Sequence, residues 1–158
     1  MASGYLKKAF DPVLLRRIAL ETYLVMQQVE AEVVIARGLS GIVVATAMGT
    51  LFNAPFAIVR KPDESTHSTN GSLEVHTDRV GSYSERIYDD YIIVDDLIST
   101  GATMKAIAAA AKSSSTIDGR CVGIALYGNQ YSGTSSKGTW EINGKQVRIF
   151  NVGNVENA

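Results

Sequence analysis

Apolar residues come in short blocks divided by polar punctuation, and the period inside the blocks changes along the chain. Leu14, Leu15, Ile18 and Val25 recur at helical spacing with Arg16 and Gln27 roughly opposite, which predicts a helix over about 12–28. Asp11-Pro12 opens it. Asp suits an N-cap, and Pro suits the first turn, where an N–H would have no partner. Glu32-Val33-Val34-Ile35-Ala36 is short, β-branched and stopped by Arg37-Gly38, the pattern of a buried strand. Ser40 is expected to cap a second helix, roughly 40–52, whose small apolar residues suit close packing on a sheet. Ala54 to Val59 reads as a second strand ending at Arg60-Lys61. Tyr91 to Val94 reads as a third, running without polar interruption into Asp95-Asp96. An Ala-rich helix from Gly101 to Lys112 and a fourth strand from Arg120 to Tyr127 follow.

The alternation of helix, strand, helix, strand, long loop, strand, helix, strand predicts an α/β fold, a doubly wound and mostly parallel sheet with helices on both faces. The long loop, Pro62 to Asp90, is polar and carries a hairpin signal at Asn70-Gly71. A loop of that length is either a lid or a surface hairpin. In the tail, Trp140-Glu141-Ile142 and Gln146-Val147-Arg148-Ile149-Phe150 flank Asn143-Gly144, a second hairpin signal.

Composition narrows the picture. A chain of 158 residues suits one domain with a single core. A formal net charge of −1 leaves no electrostatic footprint for nucleic acid or an anionic membrane, so local groups must do any phosphate binding. The apolar stretches are too short to span a bilayer, and the N-terminus lacks the apolar core of a signal peptide. The lone Cys121 sits in an apolar run and reads as a small core residue. A cytoplasmic protein is expected.

The chemistry concentrates at residues 94–103. Side chains at the carboxyl ends of parallel strands face the crevice where α/β proteins bind ligands, and Asp95 and Asp96 stand there. Adjacent carboxylates repel and need donors, and the vicinal diol of a ribose supplies two. Ser99-Thr100-Gly101-Ala102-Thr103 then opens a helix, whose free N–H groups and dipole favour an anion. A diol site beside a phosphate site describes a ribose 5-phosphate.

Val94-Asp95-Asp96-Leu97-Ile98-Ser99-Thr100-Gly101-Ala102-Thr103 resembles the signature with which type I phosphoribosyltransferases bind 5-phosphoribosyl 1-pyrophosphate (PRPP). Ala36-Arg37-Gly38-Leu39-Ser40-Gly41 resembles that family's pyrophosphate loop, and Val59-Arg60-Lys61 stands where the orotate enzymes carry Arg-Lys. The resemblance implies that Asp95 and Asp96 hold the ribose hydroxyls and that Leu97, Ile98, Ser99, Thr100, Gly101, Ala102 and Thr103 wrap the 5-phosphate. Arg37, Gly38, Leu39, Ser40, Arg60, Lys61 and His67 are implied at the substrate's pyrophosphate side. It also implies a core over about 30–127, Mg²⁺ carried on PRPP within reach of Asp95 and Asp96, a cis peptide at Ala36-Arg37, a homodimer, a lid over about 60–90, and a base-holding hood from about 1–28 and 128–158.

Tyr127, Tyr131, Trp140 and Phe150 are candidates for stacking on the base, or for core and hairpin packing. The loop Pro62-Asp63-Glu64-Ser65-Thr66-His67-Ser68 departs from the orotate pattern in lacking a lysine and in placing its histidine one residue late. A purine base is therefore expected over orotate. The expected activity is transfer of the phosphoribosyl group to a nucleobase with release of pyrophosphate. A PRPP- or nucleotide-binding sensor of the same fold is the alternative. A phosphate-binding α/β protein outside the family would require the acid pair to be accidental.

Overall fold

A computed structural model of the chain describes residues 9–60, 73–76, 87–128 and 138–153. The elements in order are α1 (Pro12–Gln28), β1 (Val33–Ala36), α2 (Leu39–Phe52), β2 (Phe56–Val59), β3 (Leu73–His76), β4 (Tyr91–Asp95), α3 (Ala102–Ser113), β5 (Cys121–Leu126), β6 (Thr139–Ile142) and β7 (Lys145–Asn151). They form one seven-stranded sheet in the order β3-β2-β1-β4-β5-β7-β6. The five central strands are parallel, and the outermost pairings, β2 with β3 and β6 with β7, are antiparallel. The expected doubly wound, mostly parallel sheet is what the chain forms.

Both faces of the sheet are covered, which explains why the central strands read as unbroken apolar runs. Val33, Ile35, Ile93, Ile124 and Leu126 face α3 through Met104, Ile107 and Ala111. Val34, Ala36, Ile92, Val94 and Ala125 face the other way, onto Ile18, Val25, Val44 and Met48 of α1 and α2. Alternation along each strand divides the core into these two layers. Asp11 caps α1 by accepting from Val13 N at 2.9 Å and Leu14 N at 3.3 Å, with Pro12 at the first helical position. No helix among the described residues is long and apolar enough to cross a membrane.

Several expectations need correction. Ser40 does not cap α2. Gly38 is the N-cap, and Ser40 lies inside the first turn. The Ala36-Arg37 peptide is trans, as are all peptide bonds among the described residues. The change of direction falls at Gly38, whose φ of 87° and ψ of 160° suit glycine alone. The second strand starts at Phe56 rather than Ala54, because Asn53 ends α2 in the left-handed region and Ala54 N still donates to Met48 O. Of the expected hood, the described parts are α1 and the tail hairpin. Helix α1 belongs to the core, with Ile18 and Ala19 fully buried. The tail hairpin turns at Asn143 (φ 50°) and Gly144 (φ 81°), a type I′ geometry, and then adds β7 to β5 in parallel with Ile149 opposite Ile124. Of the long loop, β3 returns antiparallel to β2. Lys61, His67, Asn70-Gly71 and most of the expected lid lie outside the described residues.

Candidate functional site

The strand order creates the site. From β1 the chain winds outward through α2 to β2, then re-enters on the other side of β1 as β4 and winds the opposite way through α3 to β5. Adjacent β1 and β4 therefore send their following helices to opposite faces, and a crevice opens at their carboxyl ends. Both motifs stand at this switch point. The register that sets Ile35 opposite Ile93 carries Arg37 level with Asp95, on strands about 4.8 Å apart. Arg60 directly follows β2, one strand farther out.

Asp95 and Asp96 are 7% and 8% exposed, the only charged residues in the described core. Each carboxylate is held by the next amide: Asp96 N donates to Asp95 Oδ1 at 2.8 Å, and Leu97 N to Asp96 Oδ1 at 2.8 Å. Backbone bonds from Tyr127 N to Asp95 O and from Gly128 N to Asp96 O tie the pair to the end of β5. A carboxylate pair fixed by its own backbone is pre-organised for hydroxyl donors. Ile98, buried in the α3 layer, anchors the following turn, while Ser99 and Thr100 reach solvent. Residues Asp95 to Met104 enclose a pocket of about 170 Å³.

The two helices at the crevice begin alike. α3 is N-capped by Gly101 (φ 84°, ψ 4°) and α2 by Gly38, and neither helix has a side-chain cap bond. Thr100 Oγ1 accepts from Ala102 N at 3.3 Å, and the first bond along α3 runs from Lys105 N to Gly101 O. The N-terminal amides of both helices thus point out of their helices, and α1, capped by Asp11, supplies the contrast. Neither glycine cap offers a side-chain acceptor, and apart from Ala102 N, which Thr100 Oγ1 accepts, these helix starts suit an external anion. A further donor belongs to the α2 start: Arg37 Nε is buried and has no hydrogen-bond partner. A buried guanidinium N–H without an acceptor is costly, and an oxyanion ligand would satisfy it.

Sequence reasoning missed three supports. Gly41 stands where α2 meets β4: a Cβ there would run into the Val94 carbonyl oxygen and come within 3.0 Å of Ala36 Cβ. A glycine in the first turn of a small apolar helix pattern was the available signal. Tyr127 does not stack on a base. It is fully buried, and its hydroxyl donates to Ser40 O at 2.9 Å, tying the end of β5 to the first turn of α2. Burial and the neighbouring Asp96 and Asp95 carboxylates push its phenol well above the ordinary range, against the opposing pull of the Ser40 bond, so it stays a donor. Trp140 lies against Gly101. Phe150 packs toward the α1 layer with Arg148 over its ring at 4.5 Å, and Tyr131 falls outside the described residues. Among the described residues no group of three His, Cys, Asp or Glu side chains could hold a metal ion by itself.

No family model matches the chain. It is 32% identical over 108 residues to "HGPRTase-like protein 2" of Natrialba magadii, covering 63% of this chain and 56% of that protein. It is 30% identical over 87 residues to the adenine phosphoribosyltransferase of Mycoplasma capricolum subsp. capricolum, covering 52% of this chain and 51% of that one. The chain thus spans about half the length of the curated relatives it matches. The solved adenine phosphoribosyltransferase of Saccharomyces cerevisiae shares the fold at a TM-score of 0.56, with 13% identity, over 89% of this chain and 79% of that one. The Val94–Thr103 signature thus stands at the carboxyl end of β4 in a chain that is similar in sequence to purine phosphoribosyltransferases over about half their length and shares the fold of a solved one.

Proposed function

We propose that the chain binds PRPP at the β1/β4 switch point and transfers its phosphoribosyl group to a nucleobase, releasing pyrophosphate. One observation carries the reading: two glycine-started, uncapped helices flank a buried pair of carboxylates. That arrangement matches a ligand with a diol between two phosphate groups. Asp95 and Asp96 accept from the ribose hydroxyls. The loop from Leu97 to Thr103 and the start of α3 hold the 5-phosphate. Arg37, Gly38 and the start of α2 hold the pyrophosphate, with Lys61 assigned there by motif. The relative from Saccharomyces cerevisiae was solved with an imino-altritol bisphosphate and adenine, a ligand pair of the same chemical kind.

The transfer passes through a state with positive charge on the ribose ring and negative charge on the leaving pyrophosphate. The fixed carboxylates and helix-start amides stabilise both ends without reorganising. Mg²⁺ bound with PRPP fits this donor set, since two carboxylates beside substrate phosphates and water suit its octahedral shell, and it would offset charge on the pyrophosphate. A purine is the proposed acceptor. The departures at residues 62–68 argue against orotate, and the two relatives are named for hypoxanthine-guanine and adenine enzymes. Cys121 is buried as a free thiol, which agrees with a cytoplasmic setting.

The test is to incubate the protein with PRPP, Mg²⁺ and adenine, guanine, hypoxanthine, xanthine, uracil or orotate, and to follow pyrophosphate release. Turnover with a purine is expected. The Asp95→Asn/Asp96→Asn double variant should lose PRPP binding in calorimetry, and unchanged binding there would sink the assignment. The missing loop lysine favours the sensor reading as the second choice, and PRPP binding without turnover on any base would select it.

A further inference from the structure

We infer that Trp140, the chain's sole tryptophan, is the positioning residue of the 5-phosphate loop, and that the tail hairpin is that loop's rear wall. The inference rests on the phosphate role proposed for residues 97–103. Gly101 is buried and takes a left-handed φ of 84°. A Cβ built on it would meet Cζ2 of Trp140 in hard overlap, with Cε2 at 3.3 Å and Cη2 at 3.4 Å. The indole edge therefore lies directly on the Gly101 backbone.

The two residues line different cavities, which share Met104. Gly101 lines the pocket that runs from Asp95 to Met104, and Trp140 is absent from that lining. Trp140 lines a separate groove behind it, with Met104, Lys105 and Glu141. The indole thus backs the loop without entering the ligand's space. Its own support is the sheet: Trp140 is opposite Val147 of β7, and β7 is paired with β5 beside β4. The strand that ends in Asp95 and the hairpin that presses on Gly101 are parts of one rigid sheet.

The positioning follows from glycine's freedom. Gly101 can leave the left-handed region at little steric cost, and with it the aim of the α3 amides would change. The ring removes that freedom by filling the space behind the Cα. Its energetic benefit goes to a ligand carrying a 5-phosphate, and less ordering remains to be done on binding.

Calorimetry with ribose 5-phosphate and with PRPP tests this on the wild type, Trp140→Ala, Trp140→Phe and Ile142→Val. Ile142→Val loosens the same hairpin at a core position away from Gly101. Trp140→Ala should weaken ribose 5-phosphate about tenfold, Trp140→Phe should restore most of the loss, and Ile142→Val should bind as the wild type. In the wild type, saturating ribose 5-phosphate should shift the tryptophan emission, a readout that survives even if Trp140→Ala fails to fold. Unchanged affinity in Trp140→Ala, equal weakening in Ile142→Val, or silent emission on saturation would each overturn the inference while leaving PRPP binding in place. A wild type that binds neither ligand would instead bring down the proposed function, and this inference with it.

Discussion

Gly41→Ala is the substitution whose effect the structure fixes most closely. Gly41 lies in the first turn of α2, buried against β4. The added methyl would strike the Val94 carbonyl oxygen and press on Ala36 Cβ. Neither neighbour yields easily: Val94 pairs with Ala125 inside the parallel sheet, and Ala36 pairs with Ile58. Forcing a methyl into such a contact costs about 1–3 kcal/mol, while the better helix propensity of Ala returns up to about 1 kcal/mol. A net loss of about 1–2 kcal/mol lowers Tm by roughly 2–8 °C in a chain of this size. Binding should suffer as well. Val94 immediately precedes Asp95, Ala36 immediately precedes Arg37, and small misplacements in a positioned site are expensive.

Gly49→Ala supplies the comparison. It lies in the same helix and has the same propensity gain, but its Cβ meets the Phe56 ring, a side chain able to turn. Urea denaturation of both variants, followed by PRPP calorimetry, reads the two effects. Gly41→Ala is expected to be the less stable and to bind PRPP at least about tenfold more weakly, about 1.4 kcal/mol. Equal midpoints for the two variants, or full PRPP affinity in a destabilised Gly41→Ala, would refute the reasoning.

Two further outcomes follow from the buried titratable groups. Tyr127→Phe should cost about 1 kcal/mol in denaturant unfolding, since it deletes the bond to Ser40 O and little else; no measurable loss would show that the 2.9 Å bond does not hold the α2 start. Burial pushes the Cys121 thiol up to about 12, opposed only by its bond to Gly123 O. A folded pKa raised above its ordinary value of 9.0 contributes stability that is fully present below pH 9 and is lost as pH rises toward 12. Thermal melts should therefore fall across that interval. The fall should be shallower in Cys121→Ala, and an equal slope in the variant would remove the thiol from the explanation.

Local chemistry was legible in the sequence wherever a residue acts on its own neighbours. Asp11-Pro12 announces the start of α1, Asn143-Gly144 announces the tail turn, and the run from Val94 to Thr103 announces a strand end followed by a helix start. What stayed hidden depends on pairing between distant segments. Ile149 lies opposite Ile124, a partner no local pattern names, and that pairing adds the tail to the sheet. The same pairing gives Trp140 its place against Gly101. Ser40 misled for a local reason: a serine at a helix start is a good cap, but the left-handed φ needed one residue after Arg37 gives the cap position to Gly38.

The pocket from Asp95 to Met104 has one more consequence. Beyond the two aspartates its lining is Leu97, Ile98, Ser99, Thr100, Gly101, Ala102, Thr103 and Met104, none of which changes charge between acid and alkaline solution. A cradle of amides and hydroxyls recognises a phosphate by shape and by the number of lone pairs it offers. On the phosphate role proposed for this loop, the pH dependence of binding near neutrality would be set by the guest: a phosphate monoester gains its second negative charge near pH 6 and arrives as the better acceptor only above that point.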